Sequence, residues 1–212
     1  MTQRTHLSPL PVPDAVLTLT LPRDAAKSGY ATSYPYLVNA LQGRSIDAAA
    51  YVQAAHMVYG WMPTVLELRA QKPAQPFVLE AALLERARNG DELTAKELTD
   101  LARSVNNSIV GASKLLHFVR PDRYAIWDSK VYAYLRSVEQ PTWHRKVYHD
   151  DVNQFARYEP FMRDLRAFVT RPAFHTVHQQ VNDAFGYPVT ALRAAEVLMY
   201  ANAPSPDKKK KN

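Results

Sequence analysis

SIVGASKLLHFVRPDRYAIWDSKVYAYL, residues 108–135, reads as helix, tight turn at Gly111, helix, extended connector through Pro121, and then a carboxylate at the mouth of a new helix. A glycine in the turn lets backbone N–H groups come close to a phosphate, and the helix N-terminus behind it favours an anion. Asp128 stands where an N-cap stands. It is either a cap or a group aimed into a cleft from a rigid position.

Outward from this stretch the chain keeps a helical pattern. Thr94 with Glu97 three residues on has capping-box spacing, which predicts a helix to about Val105 that ends at Asn106-Asn107-Ser108. Phe77 to Asn89 reads as a helix stopped at Asn89-Gly90. Ser45 or Asp47 caps a helix through AAAYVQAAHMVYGW towards Pro63, and TVLELRAQ reads as a further helical segment. Downstream, helix resumes after Trp127 with Asp128 or Ser129 at its start. Further helices are expected over His149–Val169, over 173–185 up to Gly186, and over Val189–Ala201.

Residues 1–35 carry Pro9, Pro11, Pro13, Pro22 and Pro35, a spacing that suggests an extended lead-in, with a short strand possible over Ala15–Leu21. The fold class expected is all-α, with about eight to ten helices in one or two lobes. The organisation expected is a Pro-rich lead-in over 1–44, a helical domain over 45–203 that holds a helix-turn-helix and Asp segment at 94–136, and a disordered basic tail over 204–212.

Composition bounds the chemistry. The chain has no Cys, which excludes disulfides, iron–sulfur clusters and thiolate zinc sites. The formal charge of +6 includes Lys208 to Lys211, so the body carries only +2 (6 − 4). The tail is either solvated or a tether to phosphates. MTQRTHLSPLPVPDAV has no apolar core of a secretory signal, and no window approaches a membrane span, so a cytoplasmic protein is expected. His175 and His178 lie three apart with Asp183 beyond, too few ligands for a metal site; neither metal nor cofactor is expected.

The 108–135 segment resembles the helix-hairpin-helix DNA glycosylase superfamily, whose members carry a Gly-containing hairpin, a helix, a Pro-bearing connector and an Asp before the next helix. Ile126-Trp127-Asp128-Ser129-Lys130-Val131 matches the pattern around that Asp. Leu116, His117, Phe118, Pro121, Tyr124 and Asp128 match the signature of compact members. The resemblance implies that the chain flips out and excises a damaged or modified base by N-glycosidic bond hydrolysis. It leaves an abasic site, in repair or in antiviral defence against modified phage DNA.

Asp128 is then the catalytic residue, which stabilises the sugar cation or helps activate the nucleophile. Its partner is double-stranded DNA bearing the modified base, met by a monomer. Asn107, Gly111 and Ser113 are expected on the DNA backbone, and His56, Tyr59, Trp61 and Trp127 in the base pocket.

Two departures narrow this reading. Ile109 stands where the family's first hairpin glycine would be, and Ser113 where bifunctional members carry a nucleophilic Lys. Lys114 is one residue further on and 14 residues from Asp128, a shorter separation than is usual. A monofunctional enzyme using water is favoured, with Lys114 as a phosphate contact or a displaced nucleophile. The plainer alternatives are that Asp128 only caps, Lys114 is solvated, His117 is a hydrogen-bonded core residue, and Trp127 is core. The chain would then be a non-catalytic DNA-binding or interaction module of the same fold.

Overall fold

Side-chain caps start six of the helices. The computed structural model describes residues 10–43, 45–62, 64–140, 152 and 155–204. Helices α1 to α5 cover Arg23–Ala26, Gly29–Ala40, Ala48–Trp61, Val78–Asn89 and Ala95–Ser104. Helices α6 to α10 cover Ile109–Val119, Ser129–Glu139, Phe155–Val169, Pro172–Phe185 and Ala191–Ala201. Among the described residues the only pairing of extended backbone is the isolated bridge between Leu68 and Val105, and the class is all-α.

The caps work as the sequence predicts. Asp47 accepts the Ala50 N–H at 2.8 Å, and Thr94 with Glu97 forms a reciprocal capping box at α5. Each satisfies a donor that the first helical turn leaves unpaired. Gly90 (φ 101°) stops α4 and Gly186 (φ 75°) stops α9, both in the left-handed region. Of the helix expected over 149–169, the described part runs from residue 155; 149–151, 153 and 154 lie outside the described residues. So does the basic run of the tail.

Four expectations are corrected. The lead-in is not extended throughout, because α2 forms across Pro35. A proline lacks the N–H that would meet the carbonyl four residues earlier, and here the Tyr187 hydroxyl donates to that carbonyl, of Ala31, at 2.6 Å. Residues 15–21 form no strand: Asp14–Thr18 is a 3-10 turn that buries Val16.

Thr64–Gln71 is not helical. Its backbone is drawn along the α5–α6 turn by Asn106, which accepts the Glu67 N–H at 2.9 Å and donates its amide to Val65 at 2.9 Å. Finally, the reversal before α6 is made by Asn106 (φ 56°) and Asn107 (φ 48°), not by Gly111. Gly111 lies inside the first turn of α6, where an added Cβ would collide with the Tyr59 hydroxyl, so the glycine serves a close helix approach.

α6 is the centre of the structure. It contacts α2, α3, α4 and α5, and Leu115, Leu116 and Phe118 have no exposed surface. Burial of each such side chain contributes about 1.5–3 kcal/mol. α10 packs on α7, α8 and α9. Buried apolar residues from Leu10 to Met199 join both groups into one continuous core.

Candidate functional site

Asp128 is launched from a fastened connector. The Ser113 hydroxyl accepts the Trp127 N–H at 3.0 Å, which ties the connector before Asp128 to α6. Trp127 is fully buried and its indole N–H donates to the Val152 carbonyl at 2.8 Å; the Tyr158 hydroxyl donates to the Ala125 carbonyl at 3.0 Å. With the backbone held at both points, the carboxylate has little freedom.

Its two oxygens do different things. Oδ1 accepts the Lys130 N–H at 3.0 Å and caps α7. Oδ2 accepts from Lys114 Nζ at 3.0 Å, and the two side chains are only 15% and 9% exposed. Burial pushes the Asp128 carboxyl up, but Lys114, the Lys130 N–H and the Ser129 hydroxyl together hold it below the usual carboxylate range. Asp128 is therefore an anion at neutral pH.

A second charged pair adjoins the first. Arg193 and Glu196, 6% and 1% exposed, are ion-paired on α10 through Arg193 Nη1 and Glu196 Oε2. The Arg193 guanidinium lies 4.8 Å from the Tyr34 ring centroid and 6.0 Å from that of Trp61, while its Nε has no hydrogen-bond partner among the described residues. Burial raises the Glu196 carboxyl to about 7 against the pull of Arg193, and the Asp128 charge adds to the rise.

The two carboxyls of one site are thus driven in opposite directions. Tyr200, one turn beyond Glu196, has Lys130 Nζ 4.4 Å from its ring centroid and is within electrostatic reach of Asp128 and Tyr30. Tyr30 in turn meets Trp61 edge-on at 5.5 Å. Tyr30, Trp61 and Tyr200 retain exposed surface, so they flank the buried charges on the solvent side.

His117 belongs to the frame. Its Nδ1–H donates to the Tyr124 carbonyl at 2.7 Å, which leaves Nε2 to accept the Tyr34 hydroxyl at 2.8 Å. Burial pushes it down to about 3, so the ring is neutral.

The sequence-predicted residues separate into those at this site and those elsewhere. Asp128 and Lys114 come together, and Trp61 is linked to them only by way of Arg193, whose guanidinium is 6.0 Å from its ring centroid. Lys114 is neither solvated nor open to a phosphate, since its ammonium is buried against Asp128. Ser113 is buried with its hydroxyl committed to the connector, and Gly111 is buried against Tyr59, so neither presents itself to a DNA backbone. Asn107 is exposed at the turn.

Tyr59 donates to the Val105 carbonyl at 3.2 Å, and Trp127 packs on Phe161 in the core. His56 is exposed on α3 with Nδ1 on the Val52 carbonyl of its own helix. None of the three lines the Lys114–Asp128 cluster. Arg193, Glu196, Tyr200, Tyr30 and Tyr34 were not foreseen. The available signal was ALRAAEVLM, where two charges sit in a helix that is apolar all round and so must be buried.

Among the described residues no three His, Cys, Asp or Glu side chains are grouped to hold a metal, and no helix is long and apolar enough to cross a membrane. Compared with known proteins, the chain matches no family model, no curated protein and no solved structure.

Proposed function

We propose that this chain is a DNA glycosylase of the helix-hairpin-helix type, which hydrolyses the N-glycosidic bond of a damaged or modified base and leaves an abasic site. The observation that carries the reading is the Lys114–Asp128 pair: a carboxylate kept ionised, largely desolvated and fixed at the mouth of α7. Bond cleavage builds positive charge on the sugar, and a preorganised anion in a water-poor site lowers that barrier. Trp61, with Tyr30 and Tyr200, supplies stacking surface for an extruded base beside it. Modified bases of foreign DNA belong to the substrate range proposed.

A second reading is favoured by one observation. Asp128 makes an ordinary capping bond to Lys130, as it would in a DNA-binding module without chemistry. Incubation with duplexes carrying a panel of modified bases, followed by heating in alkali, separates the two. Strand breaks that disappear in Asp128→Asn while DNA binding persists are the expected result. No breaks across the panel, modified phage DNA included, would leave the binding module standing. Breaks formed without alkali, with borohydride trapping at Lys114, would replace water by the lysine as nucleophile.

A further inference from the structure

No Asp, Glu, Lys or Arg occurs between Lys27 and Arg44, nor between Asp47 and Glu67, so α2 and α3 are both without charge. The two helices pack on each other, and the Trp61 indole N–H donates to the Ser33 hydroxyl at one end of their contact. Their outward positions are open to solvent, among them Tyr36 and Ala40 on α2 and Gln53 and His56 on α3. The solvent side of a surface helix is ordinarily rich in charge. Two adjoining helices that carry none present one neutral face on a chain whose formal charge is +6.

A cavity of about 160 Å³ opens on this face between the end of α2 and the start of α3, lined largely by apolar side chains, Ala40, Leu41, Ile46, Ala50, Ala54 and Met57 among them. An apolar cavity of about 150 Å³ takes a benzene molecule, so this one has room for one aromatic side chain. Tyr36, one helical turn before Ala40, is 77% exposed, more than any other aromatic side chain among the described residues. A solitary exposed tyrosine is ordinary. One that adjoins an open apolar cavity on a neutral face is half of a self-complementary contact. We propose that two copies of the chain pair through α2 and α3 about a two-fold axis, each Tyr36 ring seated in the other copy's cavity. Such a pairing uses the same knob and the same hole twice. Tyr36 and Ala40 are about 6 Å apart along α2, which lets one axis pass between them.

The charge distribution selects the occupant. Two chains of +6 repel each other where their charged surfaces meet, and least where neither surface carries a charge. DNA is held by cations on its phosphates, which this face lacks. The carboxylates at the rim, Asp47 and Glu85, are tied to the Ala50 and Ile46 N–H groups of their own chain. A different protein that filled the cavity would leave Tyr36 without a seat, whereas a second copy accounts for both. Helices of 12 and 14 residues, about 18 and 21 Å long, make a small face at the low end of specific interfaces, so association in the micromolar range is expected. Tyr30 lies about 15 Å along α2 from Ala40, so pairing leaves the end near Trp61 and Tyr200 open and does not depend on the glycosylase reading.

Sedimentation equilibrium of the full chain, from about 1 µM to about 1 mM, tests this. The mass is expected to rise with concentration from 24.0 kDa towards twice that value. Tyr36→Ala, at an exposed position, is expected to weaken pairing on the order of 10²- to 10³-fold, since each dimer loses two anchors. Ala50→Phe fills the cavity and is expected to weaken pairing as well. Mixed together, the two variants are expected to form a heterodimer, because the intact Tyr36 of one meets the open cavity of the other. Loss in both without recovery on mixing overturns the reciprocal contact, and so do dimers that Tyr36→Ala leaves unweakened. A mass of one chain throughout overturns the proposal, restores the monomer expected from the sequence and leaves the face to a different protein. Should Ala50→Phe not fold by circular dichroism, Tyr36→Ala decides alone.

Discussion

Replacing Glu196 by glutamine separates the energetic cost of the buried carboxyl from everything else that titrates in the fold. Burial raises this group from an ordinary 4.5 to about 7. At about 1.4 kcal/mol for each tenfold change in proton affinity, that rise corresponds to about 3 kcal/mol. The folded chain holds the proton more tightly than the unfolded chain. Its contribution to stability is therefore fully present below about pH 4.5 and lost as pH rises through about 7.

His117 has the opposite sign: its fold keeps it neutral, lowered from an ordinary 6.5 to about 3, so stability is lost as pH falls through that range. Between about pH 4.5 and 6.5 the two nearly cancel, and the wild-type curve alone would look flat.

The difference between wild type and Glu196→Gln removes His117 from the comparison. Urea unfolding at about pH 5 and about pH 8 is expected to show the variant gaining about 3 kcal/mol relative to wild type over that interval. For a chain of this size that is a relative rise of about 6–12 °C in melting temperature. Exchange of the acid for an amide also alters packing and hydrogen bonding to Arg193 by an amount that does not depend on pH, and such an offset does not change the slope. A difference that stays constant to within about 1 kcal/mol, or one that moves in favour of wild type as pH rises, would refute the reasoning.

Two further outcomes follow from the packing. Lys114→Met leaves Asp128 buried without its counter-charge. We expect a loss of about 3 kcal/mol at neutral pH, read from the urea midpoint, and an upward shift of the Asp128 carboxyl followed by carbon-13 NMR. Gly111→Ala drives a methyl group into the Tyr59 hydroxyl and is expected to cost about 1–3 kcal/mol. Adding Tyr59→Phe should return much of that loss, and a double-mutant cycle without coupling would show that the close approach is not the reason for the glycine.

Local chemistry was legible in the sequence and placement between helices was not. Asp47, Thr94 with Glu97, Gly90 and Gly186 act within a few residues of where they stand, so spacing alone locates the helix ends they set. Thr64–Gln71 defeats the same logic. Its helical composition is overridden by Asn106, some forty residues away in sequence, which supplies hydrogen bonds that no local pattern announces. Gly111 failed for a related reason: glycine suggests a turn until the Tyr59 hydroxyl is known to press on it. At the site, the connector and Asp128 could be found from their neighbours in the chain. Glu196 could not, because it reaches Asp128 only through the packing of α10 on α7, and His56 and Tyr59 were placed by residue type rather than by facing direction.

Capping alone is a poor account of Asp128 once its second oxygen is considered. A capping bond needs one acceptor, and Oδ1 provides it. Replacing such a cap by alanine costs about 1 kcal/mol whether or not a lysine is nearby. Lys114 adds nothing to that bond. Its ammonium has been withdrawn from water to 9% exposure to reach Oδ2, at a desolvation cost of several kcal/mol that the ion pair only roughly offsets. The same holds for Arg193 and Glu196 nearby, which sit in a helix whose other residues would pack well as an apolar face. Two buried ion pairs in electrostatic reach of each other are expensive in stability, and neither is required to cap, turn or close a helix. What the Lys114–Asp128 pair provides is an ionised carboxylate fixed in a water-poor setting, the group that the proposed glycosidic cleavage needs.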